Sequence, residues 1–76
     1  MKLRPLSAHK LIKVLNRLGF QPLRQSGSHV LLINPDGKKT VVPVHPGEEI
    51  DVGLLRRILK EAGIERDYFL KVLEEI

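Results

Sequence analysis

Ser26-Gly27-Ser28-His29-Val30-Leu31-Leu32-Ile33-Asn34-Pro35-Asp36-Gly37-Lys38-Lys39-Thr40-Val41-Val42-Pro43-Val44-His45 decides how this chain folds. The stretch reads as a β-hairpin with a histidine at the mouth of its first strand. Residues 30–33 are an unbroken apolar run. Asn34-Pro35-Asp36-Gly37 is a turn: Asn suits the first position, Pro pre-sets φ at the second, and Gly accepts positive φ at the exit. Residues 40–44 return as a strand rich in β-branched side chains. Ser26-Gly27-Ser28 approaches His29 with little side-chain bulk, so a ligand backbone can come close to the imidazole.

Outward from the hairpin, Phe20-Gln21-Pro22-Leu23-Arg24-Gln25 reads as a short strand with Phe20 turned into the core. Three strands then form an antiparallel meander with the His29 strand in the centre. Pro43 supports that order, because proline has no N–H for a ladder and belongs on an edge strand. Further upstream, residues 3–6 form an extended lead-in and Ser7 caps a helix beginning at Ala8. Ala8, Leu11, Ile12, Leu15 and Leu18 make its apolar stripe, and Gly19 is placed to end it. Downstream, residues 45–50 read as a loop. Asp51 caps a second helix whose buried face is Leu54, Leu55, Ile58, Leu59 and Ala62, ended by Gly63. A third helix over residues 64–76 sets Phe69, Val72, Leu73 and Ile76 at helical spacing.

The resulting order is α-β-β-β-α with an extra C-terminal helix. That is an α+β fold: a three-stranded antiparallel sheet with helices on one face. Side chains alternate along a strand, so four successive apolar positions send large side chains to both faces of the sheet. The helices cover one face. The other is either covered by the C-terminal helix or left as a docking face, which makes a partner or self-association an expectation.

With 76 residues, one domain over residues 1–76 is the natural reading. Hydrophobic residues at 42% and charged residues at 29% are ordinary globular values and argue against disorder. The absence of cysteine excludes a disulfide frame and a thiolate zinc site. The three histidines are far apart in sequence with no i, i+4 pairing, so neither a metal nor another cofactor is expected. The basic start has no apolar run behind it, so no leader or membrane span is expected and the cytoplasm is the default. The net charge of +4 is unevenly spread. Residues 1–44 carry eight basic residues against Asp36 alone, whereas residues 45–76 carry five basic against eight acidic. A positive first half suits a polyanion such as nucleic acid, although a solvated basic face would look the same.

Four stretches in this order resemble one family. They are Gly27-Ser28-His29, Asn34-Pro35-Asp36-Gly37, Val41-Val42-Pro43-Val44-His45-Pro46-Gly47-Glu48 and Gly53-Leu54-Leu55-Arg56-Arg57-Ile58-Leu59-Lys60-Glu61-Ala62-Gly63-Ile64. Together they look like the HicA (YcfA-like) toxins, small mRNA interferases of type II toxin–antitoxin pairs. The resemblance runs from the first helix to the end of the chain. It implies a fold like the double-stranded-RNA-binding domain, which agrees with the order read above. It also implies metal-independent endoribonuclease cleavage of mRNA dependent on His29, and a HicB-type antitoxin that covers the site. One departure is the wholly aliphatic run after His29, where many relatives mix in aromatic and basic residues.

The chemistry of the residues is compatible with that implication. Imidazole gives and takes protons near neutral pH. Cutting RNA without a metal needs a base for the 2′-OH proton, an acid for the leaving 5′-oxygen and cations for the developing phosphorane charge. His29 suits the first task, and such chemistry leaves 2′,3′-cyclic phosphate ends. Arg24, Lys38 and Lys39 are candidates for binding phosphate, with Gly27 and Ser28 offering backbone N–H groups or a hydroxyl. Taken alone, His29 reads as a half-buried strand histidine bonded to backbone; the resemblance turns it into a catalytic candidate. His45 reads first as a turn residue bonded to its local backbone, and second as a neighbour of His29 across the hairpin. Lys10, Lys13 and Arg17 on the first helix, and Arg56, Arg57 and Lys60 on the second, are either solvated or laid along phosphates. With Tyr68 the sole aromatic outside the core, recognition by shape and backbone is favoured over base stacking. Two alternatives use the same fold: a non-catalytic RNA-binding module, and a partner-binding domain docking through the apolar sheet face.

Overall fold

The computed structural model describes residues 2–76. Its first regular element, β1 (Leu6–Ser7), leads directly into α1 (Ala8–Arg17). The Ser7 hydroxyl accepts from the Lys10 N–H at 3.1 Å, an N-cap contributing about 1 kcal/mol. Ala8, Leu11, Val14 and Leu15 are buried, while Ile12 and Leu18 are half-buried at the edge of the stripe. Val14 extends the stripe beyond the residues the spacing picked out.

The meander follows as β2 (Gln21–Ser26), β3 (His29–Ile33) and β4 (Lys39–Pro43), in the order β2-β3-β4. The His29 strand is therefore central and the Pro43 strand is an edge. Val44 donates its N–H to the Ser28 carbonyl, so the neighbouring His29·Pro43 pair is non-hydrogen-bonded and the proline nitrogen faces outwards. The β3–β4 connection closes as expected. Gly37 N–H donates to the Asn34 carbonyl at 3.0 Å, and the Asn34 side chain accepts from Lys38 N–H at 2.8 Å.

The next segment corrects the loop reading of residues 45–50. Glu49 and Ile50 form β5 (Glu49–Ile50), which pairs antiparallel with β1 through Leu6↔Ile50 and Ser7↔Glu49. This two-residue ladder ties the entry of α1 to the entry of α2 (Val52–Ala62). Asp51 caps α2 through a 2.8 Å bond from Leu54 N–H, and Gly63 ends it. The third helix, α3 (Arg66–Glu74), is shorter than the spacing suggested; Leu70 is buried beside Phe69 and Val72, and Ile76 is exposed.

The core forms between one sheet face and the helices. Val30, Leu32, Thr40 and Val42 point into it from β3 and β4. They meet Phe20, the α1 stripe, Leu55, Ile58 and Leu59 of α2, and Phe69 of α3. α2 lies on β4, and α3 packs against α1. Each buried Leu or Phe contributes roughly 1.5–3 kcal/mol, and α3 adds buried Phe69, Leu70 and Val72 to the core. The α-β-β-β-α order with a C-terminal helix is that of a double-stranded-RNA-binding-domain-like fold. Because α3 sits in the helix layer, the second sheet face stays uncovered. Among the described residues, no helix is long and apolar enough to cross a membrane.

Candidate active site

The uncovered face is built by strand alternation. From β3 it presents His29, Leu31 and Ile33; from β4 it presents Lys39, Val41 and Pro43. The middle is apolar, with Leu31 and Ile33 half-buried and Val41 40% exposed. His29 is exposed, so the half-buried, backbone-bonded reading of this histidine does not describe it.

A tight turn puts His29 at the rim. Ser26 pairs directly with His29, leaving Gly27-Ser28 as a two-residue hairpin loop. Gly27 has φ 59°, and no other residue type in the described chain has positive φ, which is the pattern of a type II′ turn. A Cβ at Gly27 would meet nothing within 4 Å, so the approach to the turn is open on that side.

Arg24 reaches this face through a β-bulge. The β2–β3 register shifts between Pro22 and Arg24, so that Arg24 lies opposite Leu31. Continuing the Gln21↔Ile33 register without the shift would set Arg24 opposite Val30, on the core face. The bulge thus re-aims the guanidinium stem toward the face of His29, one pair along, or about 7 Å of strand rise. The extra residue, Leu23, is 56% exposed.

The two lysines of the hairpin are more distant. Lys39 pairs with Ile33, four residues along β3 from His29, or about 13 Å of strand rise. Lys38 leaves the face: its side chain lies across Gly63 at the end of α2. The structure therefore brings Arg24, Gly27 and Ser28 around His29, sets Lys39 at the far end of the same face, and separates Lys38 from it.

His45 lies two residues beyond Pro43, the partner of His29. Its backbone closes a turn, with Glu48 N–H donating to the His45 carbonyl at 3.1 Å. The ring turns back to the sheet rather than to that turn. The His29 and His45 ring centroids are 6.2 Å apart and the planes stand at 87°. The turn reading of His45 thus describes its backbone, and the cross-hairpin reading describes its imidazole. His45 also lines a cleft of about 400 Å³ with His9, Glu48 and Glu49, between the 45–49 segment and the start of α1. A recess of the same size, between the N-terminal segment and α3, is lined by Leu3, Pro5, Phe69 and Leu73 and contains neither histidine nor carboxylate. Among the described residues no cluster of three His, Cys, Asp or Glu side chains is spaced to hold a metal ion.

An exposed histidine pair on an open sheet face of this fold invites comparison with known proteins. The family model described as HicA toxin of bacterial toxin-antitoxin matches residues 8–64. The chain belongs to the HicA toxin family. The match spans α1, the whole meander, the His45 turn and α2, and leaves α3 outside. Membership makes this chain a toxin-type component of a toxin–antitoxin system and implies an antitoxin as its partner. No curated protein matches the chain.

Proposed function

We propose that this HicA family member is a metal-independent endoribonuclease that cuts mRNA, with His29 as acid/base, and that a HicB-type antitoxin silences it. Residues 1–76 would act as one toxin domain in the cytoplasm. The observation that carries the reading is the position of His29: exposed, at the rim of an uncovered sheet face, beside a bare Gly27-Ser28 turn and a second imidazole. The imidazole takes the 2′-OH proton, and the 2′-oxygen attacks phosphorus. Arg24, re-aimed onto the same face, meets the phosphate charge, and Gly27 and Ser28 offer backbone N–H groups to it. Lys39 binds a phosphate further along the strand. Lys38, directed to α2, is withdrawn from this group by its placement.

Inducing the intact chain and His29→Ala in bacteria tests the reading. Growth arrest with shortened mRNA for the intact chain, and neither for the folded variant, is the expected result. Equal behaviour of the two removes His29 as the catalyst.

One observation favours a second reading. Leu31, Ile33, Val41 and Pro43 form an apolar centre on the uncovered face, which suits a protein partner. Under that reading the chain binds a protein tightly and neither cuts nor binds RNA. Self-association through the same face would appear as a concentration-dependent mass.

A further inference from the structure

A single base is half of the chemistry that RNA transesterification requires. When O2′ bonds to phosphorus, the P–O5′ bond breaks and its electron pair leaves on the 5′-oxygen, which needs a proton. We infer that His45 is the general acid that supplies this proton; the assignment rests on the ribonuclease reading above and extends it. Entering and leaving oxygens lie on opposite sides of phosphorus, so acid and base must approach from different directions. The His29 and His45 rings stand close without being coplanar: their centroids are 6.2 Å apart and their planes are nearly perpendicular. At that separation one phosphate is within reach of both imidazoles, one ring serving the entering oxygen and the other the leaving oxygen.

The fold holds the pair from two sides. His29 is fixed by its pairing with both Ser26 and Pro43. His45 is fixed by the Val44–Ser28 backbone bond just before it and by the Glu48–His45 backbone turn just after it. Both histidines are exposed to solvent. Glu48 and Glu49 line the cleft beside α1, which His29 does not line. The proton balance closes without an additional reactant: one proton passes from O2′ to His29, one passes from His45 to O5′, and the products are a 2′,3′-cyclic phosphate and a 5′-hydroxyl.

A sulfur substitution separates the acid from the base. An RNA oligonucleotide is first mapped for its cleaved linkage, then remade with sulfur in place of the 5′-oxygen there. A thiolate leaves without protonation. The intact chain, His29→Ala, His45→Ala and His45→Gln are compared on both substrates after circular dichroism confirms that each is folded. On the oxygen substrate His45→Ala and His45→Gln should lose about 10²–10⁴-fold in rate, the range of general acid catalysis. On the sulfur substrate both should return to within about tenfold of the intact chain, while His29→Ala stays inactive on both. A His45 variant that cuts the oxygen substrate at the intact rate, or stays equally slow on both, overturns the acid assignment and leaves the ribonuclease reading in place. Full activity of His29→Ala, or no cleavage by the intact chain, overturns the ribonuclease reading and the acid assignment with it.

Discussion

The Lys38 side chain lies across Gly63, so close that a Cβ on the glycine would stand 2.5 Å from the lysine Nζ. Gly63 is the αL cap of α2, with φ 70°, and the last carbonyls of the helix gather there. An ammonium at that end complements the helix dipole. The two adjacent hairpin lysines therefore have different work: Lys38 attends to the helix layer, and Lys39 remains on the uncovered sheet face.

That division predicts unequal effects on RNA binding. Arg24→Ala and Lys39→Ala should each weaken binding to single-stranded RNA and reduce the salt slope by about 0.7 for each phosphate that is no longer neutralised. Lys38→Ala should leave the slope unchanged and lower stability slightly. Fluorescence anisotropy at several salt concentrations measures all three. A slope that falls for Lys38→Ala and holds for Arg24→Ala contradicts the placement.

The glycines of α2 should respond with opposite signs. Gly63→Ala forces a Cβ into the left-handed region, at a cost of about 1–2 kcal/mol, and displaces the Lys38 tail. Gly53→Ala sits inside the helix, where its Cβ would lie in ordinary contact, 3.4 Å from Asp51 Oδ1. It should stabilise by about 0.5–1 kcal/mol. Urea melts of the two variants give the signs directly.

Thr40 is the one buried polar side chain of the described core. Its hydroxyl donates to Glu61 Oε1 at 3.0 Å, and Glu61 in turn faces Arg57 at 3.4 Å, which ties β4 to α2. Thr40→Val removes the bond and leaves Glu61 able to hydrate. The expected loss is about 1 kcal/mol, or roughly 4–8 °C in Tm for a domain of this size. Calorimetry checks it. An unchanged Tm shows the bond to be idle.

The family match ends at residue 64, yet Phe69 of α3 is fully buried. Phe69→Ala should cost about 3–5 kcal/mol, a large share of the 5–15 kcal/mol typical of a folded domain. Chemical denaturation measures the loss. A change under about 1 kcal/mol, small beside that range, would show that α3 is a dispensable appendage.

Much of this architecture is legible in the sequence because the signals are local. Ser7 and Asp51 cap by side chains three residues from their partners, Asn34 to Gly37 spell a turn, and Pro43 marks an edge. What escaped is non-local or depends on phase. The Leu6↔Ile50 ladder spans two residues, too short for any periodicity. The bulge that re-aims Arg24 adds one residue to β2 without a glycine to mark it. The departure of Lys38 from the sheet follows from the hairpin exit and from α2, which no spacing within residues 34–39 records. The two-residue Gly27-Ser28 turn was within reach, since a Gly-X pair between strands is the II′ signature. The approach of His45 to His29 combines that turn, the β3–β4 register and the backbone turn at Glu48.

Whether His29 cuts RNA without a metal is decided most directly by chemistry. The purified chain is incubated with an mRNA transcript in EDTA, and the ends of the fragments are analysed beside those from His29→Ala. The expected result is 2′,3′-cyclic phosphate and 5′-hydroxyl ends from the intact chain and an uncut transcript with the variant. Equal cutting by both proteins, or cutting that disappears when EDTA is added, would contradict it.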